Sequence, residues 1–311
     1  MFPVRYKENK SMKWVKVAGI ILLFLVIAGG AYAFTVYKSL KSAVVTMHQP
    51  VERKIQVIRQ EPVVFEEKDP FSVLMLGVDE REGDKGRSDT IIVLTVNPNT
   101  NSVKMLSIPR DTRTEIVGKG TEDKINHAYA FGGVPMSMDT VEKFLDIPID
   151  YYMQINMEGF KELVDAVGGV KVQNDLDFTV YGYHFAKGEI TLNGEEALVF
   201  SRMRHEDPRG DFGRQFRQRQ IIQAVIHEGM SLSSLTNFSD IFNALGKNIK
   251  TNLTFEQMVD IQKNYRNAGR NIEQMEIKET GTMINKIYYG LVSPEEKQRI
   301  QTELKKQLEL Q

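Results

Sequence analysis

The sequence has no cysteine. That excludes thiol nucleophiles, thiolate zinc sites and disulfide scaffolds together, and it leaves the redox compartment open, because a chain without thiols is tolerated anywhere. Nor is there an excess of charge of either sign, with 40 Lys and Arg against 41 Asp and Glu. Hydrophobic residues make up 41% and charged residues 26% of the 311, a globular balance that excludes disorder and collagen-like structure. G-x-S-x-G, H-E-x-x-H and P-loop signatures are missing, so serine hydrolases, zincins and nucleotide-driven kinases lack support.

One long uncharged run is present. Val17 to Tyr37 carries no charge over 21 residues, enough at about 1.5 Å per residue to cross a hydrocarbon core about 30 Å thick. Arg5, Lys7, Lys10, Lys13 and Lys16 precede it, opposed by Glu8 alone. Such a basic flank stays on the cytoplasmic side, so residues 1–16 are expected inside and everything after Lys38 outside. Ala31-Tyr32-Ala33 offers the alternative of a cleaved signal peptide. Phe34, Val36 and Tyr37 prolong the apolar run past that cut, which favours a retained membrane anchor over 17–37. The exported part then holds 35 basic against 40 acidic residues, a formal charge of minus five. Nucleic acid is thereby excluded as a partner, on charge and on side of the membrane.

Residues 38–69 read as a juxtamembrane stalk, and 70–311 as one α/β domain without a linker-like break or internal repeat. Phe71–Val78, Thr90–Val96 and Val103–Ile108 are short β-branched apolar runs bounded by turn residues, the pattern of buried strands, and residues 97–101 (NPNTN) are a turn between the last two. Ile149–Ile155 predicts a strand and Met157–Val167 a helix ended by Gly168-Gly169. Glu195–Met203, Gly213–Glu228, Phe255–Arg266 and Pro294–Leu308 predict further helices, the last opened by a capping box of Ser293 and Glu296.

The strongest local anomaly is Arg202 to Arg219, with six arginines and no lysine in 18 residues of a chain that has 16 arginines and 24 lysines. A solvated face has no reason for that preference. Guanidinium groups grip phosphate through paired hydrogen bonds, so the cluster points to a phosphate or diphosphate site. Arg214, Arg217 and Gln218 share one helix face by spacing, with Gly210 and Gly213 letting the preceding loop approach a ligand; Arg209 and Arg219 lie off that stripe and read as surface. Asp79, Arg81, Arg87 and Asp89 occupy a glycine-bearing loop after the first strand, where two carboxylates suit Mg²⁺ and the alternative is a solvated turn with local ion pairs. Arg110, in IPRDTR after the third strand, adds a guanidinium at the sheet edge. His127 in DKINHAYAFGG reads as a packed helix residue.

GVDER, GRSDTI, SIPRDT, DKINHAYAFGG, SRMRHED and GRQFRQRQ, in that order behind a short basic tail and a single span, resemble the LytR-CpsA-Psr family over residues 70–311. The resemblance implies a three-layer α/β/α domain with a central mixed sheet behind one N-terminal transmembrane helix. It also implies a transferase that moves an anionic glycopolymer, teichoic acid in the most similar branch, from a polyprenyl diphosphate carrier to a peptidoglycan sugar hydroxyl at the outer face of the membrane. By matching position it makes Arg87, Arg110, Arg202, Arg204 and Arg214, with Gln218, the diphosphate-binding residues, and Asp79 and Asp89 the carboxylates of a Mg²⁺ (or Mn²⁺) site. The spacing argument adds Arg217 to that set. Asp89 and Asp211 are alternative bases for the acceptor hydroxyl. A hydrolase of the same lipid diphosphate and a non-catalytic membrane-attached regulator are the competing readings.

Overall fold

The computed structural model describes residues 44–53, 58–59, 61–79, 86–231, 246 and 248–310, with scattered positions between 34 and 42. Of the expected span 17–37, only Phe34, Thr35 and Tyr37 are described, so the anchor lies outside the described residues. Among the described residues no helix is long and apolar enough to cross a membrane.

In chain order the elements are β1 (Phe71–Val78), β2 (Ser88–Asn97), β3 (Ser102–Ser107), β4 (Arg113–Ile116), β5 (Thr121–Lys124), α1 (His127–Leu145), β6 (Tyr151–Ile155), α2 (Met157–Ala166), β7 (Val170–Asn174), β8 (Phe178–Val180), β9 (Tyr183–Phe185) and β10 (Gly188–Leu192). They continue with α3 (Gly194–Arg202), α4 (Asp211–Ser231), β11 (Ile249–Thr251), α5 (Phe255–Asn264), β12 (Ile272–Glu276), β13 (Glu279–Ile284), β14 (Ile287–Val292) and α6 (Pro294–Gln307). The expected strands and helices therefore form, with ends shifted by a few residues.

The centre is a six-stranded mixed sheet in the order β11-β6-β1-β2-β3-β12. β1 runs parallel to β6 and β3 parallel to β12, while β1-β2, β2-β3 and β6-β11 are antiparallel. Leu74, Leu76, Val78, Ile91, Val93 and Leu106 pack on one face against Val141 and Phe144 of α1 and Ile300 and Leu304 of α6. Val73, Met75, Leu94 and Val96 turn to the other face, toward Phe65, Tyr265 and Met258 of α5. Burial on both faces is why these strands read as unbroken apolar runs rather than alternating ones. α1 is bent where Gly133 takes φ 64°, two residues before Pro135, a combination only glycine tolerates cheaply.

The stretch read as a stalk is partly folded onto this body. Val44 and Met47 are buried, Met47 against Ile249 and Met153, and the Gln49 amide donates to the Thr251 carbonyl at 2.7 Å. Arg53 bonds Asp139 at 2.6 Å and Glu142 at 3.0 Å, and Arg59 bonds Asp150 at 2.8 Å.

A second cluster lies beside the sheet, where Val164 of α2, Val170 and Val172 of β7, Phe178, Phe185 and Phe200 of α3 pack with Ile221 of α4. Asn193 starts α3 with a full capping box to Glu196. At α6 the expected box is only half formed. Ser293 caps the helix, but the Glu296 carboxylate turns to the Lys278 amide and to Arg299 instead.

Candidate functional site

The site is built where β1 and β3 end and β2 and α4 begin. Gly77 pairs with Thr90 and Val78 with Ser88, so Asp89 is the extra residue of a β-bulge. A bulge kinks the strand and re-aims a side chain, and here it sends the Asp89 carboxylate to Arg110, which donates through Nη1 to Oδ1 at 2.7 Å. Asp79 faces Arg87 across the neck of the same loop, amide to carbonyl at 3.5 Å. Arg87 is exposed, and Arg81 lies outside the described residues.

From the other side, α4 begins with Asp211, whose Oδ1 lies 2.6 Å from Nη2 of Arg214 one turn later. The Arg214 side chain is only 12% exposed. Burial is the main influence that lowers its pKa, Arg110 and Arg204 push the same way, and Asp211 and Asp89 offset part of it. Arg110 feels burial too, yet the hydrogen bond and charge of Asp89, backed by Asp111 and Asp211, hold its guanidinium above the ordinary range. Arginine stays ionised throughout that range, so the result is a half-buried positive centre. Arg204 is exposed beside it, and Gln218 is half-buried one turn beyond Arg214. Arg202 ends α3 exposed, its Nη1 3.6 Å from the Met157 sulfur, and is not among the charges that bear most on Arg214.

Two arginines of the cluster depart from expectation. Arg217, expected on the ligand face, is 1% exposed. It donates to Asp207 at 2.6 Å and to the Met203 carbonyl at 2.5 Å, with the stacked rings of Phe178 and Phe200 beside it at 5.8 and 5.9 Å. Three residues along a helix still leave an offset of about 60°, enough here to aim Arg214 at the site and Arg217 into the neighbouring core. Arg219, read as surface, is buried and bonds Gln274 and Glu276 of β12. Arg209 is exposed, as read, and bridges Asp175 at 2.7 Å and Asp207 at 2.9 Å. Burial opposes ionisation of Asp207, but hydrogen bonds from Arg209 and Arg217 outweigh it and pull the carboxyl down to about 2. His127, as expected, is packed: its Nδ1 lies 2.7 Å from Asp123.

Residues not singled out in the sequence complete the neighbourhood. Asp111, next to Arg110, takes the Lys124 ammonium at 2.5 Å. Glu279 at the start of β13 accepts from the Thr112 hydroxyl at 3.1 Å; burial raises it, as do the charges of Asp111 and Asp211. Tyr288 on β14 feels Glu279, Asp111, Asp211 and Arg204. The signal for this hairpin was present in ETGTMINKIYYGLV, where stretches rich in β-branched and aromatic residues flank the turn residues Asn285-Lys286.

Comparison with known proteins gives the same picture from another direction. The LytR_cpsA_psr family profile matches residues 34–306. The chain is 53% identical over 304 residues to the polyisoprenyl-teichoic acid–peptidoglycan teichoic acid transferase TagU of Bacillus mycoides (strain KBAB4), covering 97% of this chain and 99% of that protein. It is 50% identical over 307 residues to the protein of the same name in Bacillus subtilis (strain 168), covering 98% and 100%. The crystal structure of B. subtilis TagU superposes with a TM-score of 0.64 at 54% identity, covering 78% of this chain and 99% of that one. With the profile spanning residues 34–306 and half of all residues shared with curated members, the chain belongs to the LytR-CpsA-Psr family.

Proposed function

We propose that the protein transfers an anionic cell-wall glycopolymer, wall teichoic acid, from a polyprenyl diphosphate carrier to a peptidoglycan sugar hydroxyl, forming a phosphodiester. The names of its half-identical relatives support the substrate pair. Within the fold, the observation that carries the reading is Arg214: its Nε–H is buried with no hydrogen-bond partner among the described residues, beside a second guanidinium already oriented by Asp89. A buried cationic donor of that kind is costly until an anion meets it, and a diphosphate oxygen supplies the missing acceptor.

Arg110, Arg204 and Arg214 then hold the diphosphate and stabilise charge on the equatorial and leaving oxygens, with Arg87, Arg202 and Gln218 as further contacts. Positioning comes from the framework, since Asp89 fixes Arg110 and Asp211 fixes Arg214. Either carboxylate is available to take the acceptor proton. The leaving group is a prenyl phosphate, so no nucleotide is needed outside the membrane.

Asp79 and Asp89 fit a Mg²⁺ or Mn²⁺ site as a donor set: hard oxygens on the two strands of one loop neck, Asp89 with a single oxygen committed to Arg110. Bound there, the ion neutralises phosphate charge. The chain is anchored through 17–37 with its N-terminus inside and residues 38–311 outside.

The test is transfer of polyprenyl-diphosphate-linked polymer to peptidoglycan by the full-length protein in membranes. Polymer covalently joined to the glycan is the expected product. Release of free polymer with no wall linkage would make the protein a hydrolase instead.

A further inference from the structure

The ladder of β13 and β14 has an unusual centre. Gly281 pairs with Gly290, between the pairs Glu279–Val292 and Met283–Tyr288. Alternate residues share a face, so Glu279, the two glycines, Met283 and Tyr288 lie together on one side of the hairpin. The side chains at the ends fold inward over the bare backbone. A Cβ at Gly290 would stand 2.0 Å from the Glu279 carboxylate, and a Cβ at Gly281 2.5 Å from the Tyr288 hydroxyl. The hairpin is held to the arginine site by the Gly290 amide, which donates to the Asp111 carbonyl at 2.9 Å, and by Thr112, which bonds Glu279. Tyr288 nonetheless leaves 47% of its surface open.

Charge divides the neighbourhood. Arg110, Arg204 and Arg214 make one end positive, whereas Glu279, with Asp111 and Asp211 bearing on it, makes the hairpin end a poor place for a phosphate. That end offers an exposed ring and one carboxylate, both laid flat over the glycine backbone. A sugar ring is the complementary shape, with an apolar C–H face for the aromatic and a hydroxyl edge for the acid.

We propose that this face of the β13–β14 hairpin is the acceptor subsite, binding a neutral sugar of the peptidoglycan glycan with Tyr288 against its ring and Glu279 accepting from its hydroxyl or amide edge. The inference rests on the transferase reading and adds where the acceptor sits.

The experiment uses soluble glycan oligomers cut from peptidoglycan. Their binding to the full-length protein is measured calorimetrically, and transfer kinetics are measured separately against oligomer and against lipid-linked donor. Tyr288→Ala is expected to weaken oligomer binding and raise the acceptor KM about tenfold with the donor KM unchanged. Tyr288→Phe keeps the ring and stays within about twofold of wild type, and Glu279→Gln raises the acceptor KM several-fold. Tyr181→Ala, at an exposed turn between β8 and β9, controls for loss of a surface aromatic. An unchanged acceptor KM in Tyr288→Ala, or an equal rise in both KM values, would overturn the assignment. If wild type transfers nothing, the transferase reading fails by itself. Oligomer binding that depends on Tyr288 would then still support the subsite, and absence of binding would overturn it.

Discussion

Two arginines three residues apart on α4 have opposite tasks. Arg214 faces the site beside Arg110 and Arg204, and Arg217 is locked against Asp207, the Met203 carbonyl and the stacked rings of Phe178 and Phe200. Arg214→Lys keeps the charge but loses the planar fork, and one lost charge-assisted hydrogen bond costs on the order of 1.5–3 kcal/mol, so transfer should fall about 10- to 100-fold at unchanged melting temperature. Arg217→Ala should instead unfold readily, because removing one partner of a buried pair costs about 3–5 kcal/mol. Asp207 gives this pair a pH signature. Its folded pKa, about 2, lies below the ordinary carboxylate value, so its contribution is complete above about pH 4 and is lost as pH falls toward 2, on the order of 2 kcal/mol in all. Asp207→Asn should be less stable than wild type at pH 7 yet lose less between pH 4 and pH 2, as followed by denaturant unfolding at each pH. For the metal, Asp79→Ala and Asp89→Ala should flatten the response of transfer rate to Mg²⁺ concentration with little change in melting. A wild-type response in both variants, or full wild-type activity in excess chelator, removes the ion from the reaction.

At the scale of the element, α4 is a helix with two buried sides, joining the β7–β10 cluster to the sheet through Arg219 and the Gln223–Gln274 bond. Its start depends on Gly213. Alanine would ordinarily gain about 1 kcal/mol in a helix, but a Cβ here would sit 1.9 Å from Asp207 Oδ2. Gly213→Ala should therefore lower the melting temperature and loosen Arg217 along with Asp207. The sequence made the central strands and helices readable because both-sided burial and capping residues leave strong local patterns, as in Phe71–Val78 and Ser293. It did not reveal which way each arginine of α4 points, since that is set by a helix rotation of some tens of degrees against a partner cluster distant in sequence. Glu279 and Tyr288 were missed for a related reason: a two-stranded hairpin with exposed apolar positions has no both-sided burial to announce it, and its tie to Asp111 crosses most of the chain.

For the whole molecule, residues 38–311 should be cut by protease added to intact, wall-stripped cells while residues 1–16 stay protected, and the N-terminal segment should be retained. A mature protein beginning at Phe34 would defeat the anchor. The packing of Val44 and Met47 against the body has a consequence for reach. With the span proposed to end at Tyr37, seven residues separate the bilayer from Val44, the first buried side chain among the described residues. Even fully extended they stretch about 25 Å. Anchored in that way, the enzyme would be on a short leash, unable to climb through the wall toward finished strands. It would then meet its acceptor at the membrane surface, where lipid-borne polymer and newly made glycan are both within the same narrow layer.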